Sequence, residues 1–347
     1  MVSDIAIVGA GPAGAALAIA LGRRGVRVAL YERARGARLK ACGEGLLPHG
    51  VAALRGLAGE PGGAPRVRGL RFVAGDVSVE ADFPEGYGLI VRRDRFDAWL
   101  RDCAAATPNV DLRMGTFYRP GGERFLVGAD GKRSIFHRRL PARPSMPRRV
   151  GLSTHVGGLV GLGDRVEVFF HPDGEVYVAP TGGGEALVSA LFFESSFRRD
   201  GIRYLLDAIP ELRARASRIE RTAPTFACAP LALHVPRLVD EGLLLIGDAA
   251  GAPDPITGDG IAMALVSAQP AAAAIVTGDL AAYERARLEM GRTADRLARL
   301  LLTIPRAGGR AARALLRRPA LVPTLLDVAV SRRPLTVGTL VRAVAPR

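Results

Sequence analysis

The stretch that most constrains this chain is SDIAIVGAGPAGAALAIALGRRGVRVALYER, Ser3 to Arg33. Ile5, Ile7 and Val8 form a short apolar run suited to a buried strand. Gly9, Gly11 and Gly14 follow as G-x-G-x-x-G. Pro12 stands where a helix would begin and its missing N–H costs nothing. Ala13 to Leu21 is rich in helix formers. Gly25 stops that helix, and Val26 to Tyr31 reads as a second strand ending at Glu32. Gly9 permits a tight turn, Gly11 lets backbone approach a pyrophosphate, and Gly14 lets helix pack closely on strand. The helix N-terminus offers free N–H groups to phosphates. Glu32, about 20 residues on, can accept from ribose hydroxyls. The unit predicts dinucleotide binding.

The 347 residues suffice for two domains or one large composite domain. The first strand begins almost at once, so no cleavable leader is expected. No uninterrupted apolar run reaches about 18 residues, so no membrane span is expected. Cys42, Cys103 and Cys228 are far apart and odd in number, which suggests reduced thiols in a cytosol and no metal site. The net charge of +14 is nearly all arginine, with Lys40 and Lys132 the only lysines. No aromatic-interleaved basic patch is present to stack bases, so nucleic acid is not an expected partner.

Further along, Arg33 to Lys40 reads as a basic loop. Cys42-Gly43-Glu44-Gly45-Leu46-Leu47-Pro48 suits either a backbone held close to something flat or phosphorylated, or an ordinary turn before a helix Val51 to Leu57. Val67 to Phe83 predicts strands turning at Gly75-Asp76. A helix from Arg93 to about Ala106 puts Phe96, Trp99, Leu100 and Cys103 on one face. Val110 to Tyr118 and Phe125 to Gly128 read as strands. Pro141 to Pro147 reads as a linker. Four strand candidates follow, Arg149 to His155, Arg165 to Phe170, Glu175 to Ala179 and Ala186 to Phe193. Helices are expected over Ile202 to Ala208 and Glu211 to Ile219, then a strand Phe226 to Leu233. Gly242 to Gly251 is a second strand ending in Gly247-Asp248, and a long helix follows from Ile261, interrupted at Pro270. Asp248 at a strand tip can accept from hydroxyls, and Thr257 to Gly260 would present N–H groups at a helix N-terminus. The tail places Arg306, Arg310, Arg313 and Arg317 on one helical face, either a solvated cap or a membrane-surface helix.

Three ordered segments carry a family resemblance: GAGPAG…YER, GADGKRS (Gly128 to Ser134) and GDAAGAPDPITGDGI (Gly247 to Ile261). Together they resemble the FAD-dependent group A flavoproteins, which share a p-hydroxybenzoate hydroxylase-like fold. Asp254-Pro255-Ile256-Thr257-Gly258-Asp259-Gly260-Ile261 and Cys42-Gly43 are most similar to the geranylgeranyl-reductase branch. Gly43-Glu44-Gly45-Leu46-Leu47-Pro48 also resembles a halogenase motif. The reductases' aromatic strand motif survives only as Tyr177-Val178-Ala179-Pro180.

The resemblance implies an α/β fold. A Rossmann-like FAD-binding part spans 1–145 and 241–280, with 67–91 joining an antiparallel-sheet substrate domain at 146–240 and a helical region at 281–347. It implies FAD held by Gly9, Gly11, Pro12, Ala13, Gly14, Glu32, Arg33, Cys42, Gly43, Gly45, Arg93, Asp130, Gly247, Asp248, Gly258, Gly260 and Ile261, with NADPH or NADH as electron donor. Tyr177 and Pro180 would meet an apolar small-molecule substrate. The implied reaction is reduction of a C=C bond with Cys42 as proton donor; the alternative is monooxygenation with O₂. A halogenase-like enzyme or a non-catalytic prenyl-binding protein stands behind both. A cytoplasmic enzyme is expected, with peripheral membrane contact through the basic C-terminal helices. The sequence is silent on oligomeric state.

Overall fold

The computed structural model describes residues 4–145, 147–198, 200–303, 308–318 and 320–331. A mixed sheet of six strands forms its nucleotide-binding side. The order is Val239–Asp240, Leu243–Leu245, Phe125–Gly128, Ile5–Val8, Val28–Glu32 and Val110–Met114. All pairs are parallel except the first. The first strand therefore sits at the centre of the sheet, and the late strand Leu243–Leu245 lies two places away from it. The helix Pro12–Gly22 packs on this sheet with every residue from Ala13 to Gly22 buried. Its small side chains let backbone approach backbone, which a Leu-rich helix could not do.

The expected strand to Tyr118 ends earlier, at Met114, where Gly115 turns at φ +65°. The expected strand Phe226 to Leu233 is divided into Phe226–Cys228 and Leu233–His234. Pro230, between them, has no N–H for a ladder. The expected break at Pro270 falls instead at Ser267, between Gly260–Val266 and Ala268–Thr277. Pro270 lies in the first turn of the second helix, where a missing N–H is tolerated. The span Gly260–Thr277 is interrupted by Ser267 and Gln269, so it is not an uninterrupted apolar run. It is 18 residues long with mean hydropathy 1.6, long and apolar enough to cross a membrane, yet 61% of it is buried inside the protein.

The second sheet is broad and mostly antiparallel. Its order is Glu220–Arg221, Arg149–Gly157, Glu185–Phe193, Gly174–Gly182, Arg165–His171, Gly69–Ala74 and Val77–Asp82, with Phe226–Cys228 also on Arg149–Gly157. The hairpin turning at Gly75-Asp76 thus joins this sheet, while Gly88–Ile90 pairs with Gly45–Leu46 and Arg66–Val67 in a small third sheet. Alternation along the strands gives two faces. Val176, Val178, Val188, Phe169 and Phe192 pack beneath the helices Gly201–Ala208 and Pro210–Arg215. On the opposite face, Val168, Phe170, Ala179 and Leu187 pack with Ala312, Leu316, Val322, Leu326 and Val330. Those last five belong to the helices Gly308–Leu316 and Leu321–Ser331.

The arginine stripe of the tail is partly accounted for. Arg306 lies outside the described residues, and Arg310 is exposed. Arg313 and Arg317 reach Asp76 at 3.5 and 3.6 Å. The apolar residues Ala312 and Leu316 of the same helix face the broad sheet.

Candidate functional site

The glycines of the opening motif differ sharply in their surroundings. Gly9 has φ +105°, and a Cβ there would meet the Ala129 carbonyl oxygen at 2.5 Å. A Cβ on Gly14 would sit 1.9 Å from the Gly9 carbonyl oxygen. A Cβ on Gly11 would face open space, its nearest neighbour being Lys40 Nζ at 3.9 Å. Turn, close packing and open cradle are thus divided among three glycines, as a pyrophosphate-binding loop requires. Pro12 and Ala13 open the helix above that cradle.

Glu32 accepts from Ala10 N–H at 3.1 Å and from Ala34 N–H at 2.9 Å, so its carboxylate is fixed at the strand tip beside the loop. Arg33, next along, is exposed. Asp130 adjoins Gly9 and accepts from Ile135 N–H at 2.8 Å, while its Oδ1 is buried without a partner. Gly247 turns at φ +57° and packs on Ala13, bringing Asp248 to the same end of the sheet. These residues fit an adenosine diphosphate: an open glycine, helix N–H groups, and carboxylates at three strand tips.

Lys40, the side chain nearest to Gly11, shares a carboxylate with Arg93. Arg93 binds Asp97 through two bonds of 2.8 and 3.0 Å, and Lys40 reaches the same carboxylate at 2.9 Å. Burial opposes the charge on Asp97, yet Arg93 and Lys40 hold its carboxyl below the usual range. Lys40 was not among the expected ligands. Its rarity was the available signal, since the chain has two lysines.

A second open space lies further along. A Cβ at Gly43, Gly258 or Gly260 would meet nothing within 4 Å. Two contacts join the segments that carry these glycines. His49 Nε2 lies 2.7 Å from Asp259 Oδ1, and Gly50 packs on Ala262. The first backbone amides of Gly260–Val266, Ile261 included, lack partners within the helix, as at any helix N-terminus. Cys42 sits at the edge of the open space. Its N–H donates to Ser153 Oγ at 3.3 Å, and its sulfur accepts from Glu44 N–H at 3.3 Å and contacts the Arg93 guanidinium.

The loop is fastened by a residue that the sequence reading passed over. Glu44 is 1% exposed, at φ +55°, and its Oε1 accepts from Arg93 N–H at 2.9 Å. Its Oε2 meets His155 Nε2 at 2.9 Å. The two glycines flanking Glu44 are the sequence signal for this special backbone, and the acid between them is the residue that fastens it.

Across from this space, Ser153, Ser189 and Tyr177 line up on adjacent strands of the broad sheet. The register does not bring Pro180 to that face. Pro180 pairs with Ala186, which belongs to the opposite core, whereas Tyr177 packs with Val168 and Phe170. Residues three apart on a strand point to opposite sides.

The deepest polar group on this face is an ion triad. Arg149 and Glu175 have fully buried side chains, and Asp254 is 4% exposed. Arg149 donates to Glu175 and, at 2.7 Å, to Asp254 Oδ1. Burial pushes the Glu175 carboxyl up to about 7, Arg149 opposing and Asp254 adding to the rise. Burial raises the Tyr177 hydroxyl well above its ordinary value.

The family model described as "FAD binding domain" matches residues 2–119. A menaquinone reductase of Mycobacterium tuberculosis is 30% identical over 88% of this chain and 85% of its own length. Among solved structures, the flavin-dependent brominase Bmp2 superposes with a TM-score of 0.81, at 20% identity, over 94% of this chain and 93% of that one. The protein pqsL of Pseudomonas aeruginosa, described as a probable FAD-dependent monooxygenase, gives 0.71 at 20% identity over 91% and 99%. These findings correct one expectation. Placement on the geranylgeranyl-reductase branch is overturned, because halogenases and a monooxygenase are among the solved structures that match almost the whole chain. The wider resemblance holds, and the cradle, its carboxylates and the full-length relative together place the chain among the FAD-dependent oxidoreductases of the p-hydroxybenzoate hydroxylase-like superfamily.

Proposed function

We propose that the chain is an FAD-dependent monooxygenase acting on an apolar small molecule, with NADPH or NADH reducing the flavin. The observation that carries the reading is the open space at Gly43, Gly258 and Gly260, across from which Ser153, Ser189 and Tyr177 line up on the broad sheet. Tyr177 packs there beside Val168 and Phe170, so an apolar substrate placed between ring and sheet would be kept from water, which protects an oxygen-transferring centre from wasteful hydrolysis. Bound FAD would supply the two-electron chemistry and the reaction with O₂. The chain's own residues would hold its pyrophosphate at Gly11 and Lys40, its ribose at Glu32, and its ring between Gly43 and Gly258-Gly260. Cys42 is tied to its own loop: its sulfur accepts from Glu44 N–H and contacts the Arg93 guanidinium.

A second reading, reduction of the substrate, draws on the relative named menaquinone reductase. One experiment separates the two. The purified FAD-loaded protein is given NADPH, isotope-labelled O₂ and a panel of naphthols and menaquinone. Product carrying one labelled oxygen supports monooxygenation. Product that gains two hydrogens, carries no label and forms equally without O₂ rejects it in favour of reduction. We also infer a cytoplasmic enzyme whose arginine-rich tail touches anionic membrane. Recovery wholly in the soluble fraction at low salt argues against that contact.

A further inference from the structure

We infer that Glu175 is a positioning residue, whose charge sets the posture of the loop Pro255–Gly260 through Arg149 and Asp254. This rests on the proposed flavin site, in which that loop faces the ring.

Arg149 stands on the strand Arg149–Gly157, and Glu175 lies two strands away with Glu185–Phe193 between them. Asp254 belongs to the nucleotide-binding part. The triad therefore ties the broad sheet to the loop. Asp254 Oδ1 does two things at once: it accepts from Arg149 at 2.7 Å and from Ile256 N–H at 3.1 Å. The second bond caps the turn Pro255–Thr257, which leads directly into Gly258 and the helix Gly260–Val266. Whatever moves Arg149 therefore moves the cap of the turn.

One guanidinium serves two buried carboxylates, so the triad's charge does not balance when both are ionised. Glu175 Oε1, Asp254 Oδ2, Arg149 Nε and the Tyr177 hydroxyl are all buried without hydrogen-bond partners. A fully paired structural clamp would leave none of these open. The charges facing Glu175 are Arg149 and Asp254, with the Tyr177 hydroxyl beside them. On the far side of Asp254, a small cavity brings in Asp295, Arg299 and Ser145. With Glu175 ionised, Arg149 is shared between two anions. With Glu175 neutral, Arg149 is drawn to Asp254, and the cap of the loop tightens. A purely structural salt bridge would not couple to the ring in this way.

The test reads the visible absorption bands of the FAD-loaded protein between about pH 6 and 8, the range in which a carboxyl so buried titrates. Glu175→Gln is expected to keep FAD and to lose the pH-dependent shift of the bands shown by the unsubstituted protein. Glu175→Asp, which keeps the charge, is expected to restore it. Bands that stay fixed with pH in the unsubstituted protein, or that shift equally in Glu175→Gln, overturn the inference. Gly260→Ala is the control for the underlying site, since its backbone accepts a side chain and the added methyl group would meet no protein atom within 4 Å. Unchanged bands in Gly260→Ala overturn both the flavin site and the inference. Changed bands there, with none of the expected loss in Glu175→Gln, overturn the inference alone. If Glu175→Gln does not fold, Asp254→Asn keeps the oxygen that caps Ile256 and is read against the same expectation.

Discussion

Glu44 and His155 lie 111 residues apart in sequence and meet at 2.9 Å, with each side chain under 5% exposed. The contact joins the flavin-side loop to the broad sheet, and the other carboxylate oxygen of Glu44 holds Arg93 N–H. Nearly every expected ring-side residue, from Cys42 to Gly45 and on to Arg93, hangs on this one side chain. Removing it should disturb cofactor binding as well as stability.

Glu44→Ala would strand a buried backbone N–H and a buried imidazole nitrogen. Leaving a buried polar group unpaired costs about 1–3 kcal/mol, so the two together predict a loss of roughly 2–6 kcal/mol. Urea denaturation measures it, and FAD retention on gel filtration should fall in parallel. A loss below about 0.5 kcal/mol, the size of an ordinary surface change, would mean that water replaces both bonds.

The glycines of the cradle make opposite predictions. Gly14→Ala forces a Cβ into the Gly9 carbonyl, where overpacking costs about 1–3 kcal/mol, so the apoprotein itself should melt earlier. Gly11→Ala meets open space, so the apoprotein should melt as before while FAD affinity falls at least about tenfold, equivalent to about 1.4 kcal/mol. Thermal melts of both apoproteins and flavin titrations decide the matter. Unchanged FAD affinity in Gly11→Ala would remove Gly11 from the binding site.

Cys42→Ala should retain FAD and lower turnover by less than about tenfold. A general acid contributes about 10²–10⁴-fold, and a sulfur held as an acceptor beside Arg93 is poorly arranged for that task. Steady-state rates across pH provide the check. A loss of about 10²-fold or more that removes one limb of the pH profile would restore Cys42 as proton donor.

Legibility followed the range of the constraint. Gly9, Gly11 and Gly14 were readable because their tasks are set by local backbone geometry. The four strands from Arg149 to Phe193 were readable because alternation is also local. The parity of Tyr177 and Pro180 was equally available, since an odd separation on a strand cannot serve one face. Glu44 with His155 and Arg149 with Asp254, 111 and 105 residues apart, depend on how two sheets meet. No local pattern encodes that. Lys40 falls between these cases, because its loop was visible but its partner Asp97 lay 57 residues away.

The last prediction concerns stability and pH. Glu175 is fully buried, and its carboxyl is pushed from about 4.5 in a free chain up to about 7. Between those values the folded protein holds a proton that the unfolded chain has released. Stability falls wherever the folded state binds more protons, so the unsubstituted protein should lose stability as pH rises from about 4.5 to 7. The raised value corresponds to a loss on the order of 3 kcal/mol, concentrated in that window. Glu175→Gln cannot ionise and resembles the neutral form. Its melting temperature relative to the unsubstituted protein should therefore climb across the window and level off above it. Melts at a series of pH values measure the difference. A gap that stays constant with pH would mean that Glu175 is ionised throughout, held by Arg149 against its burial.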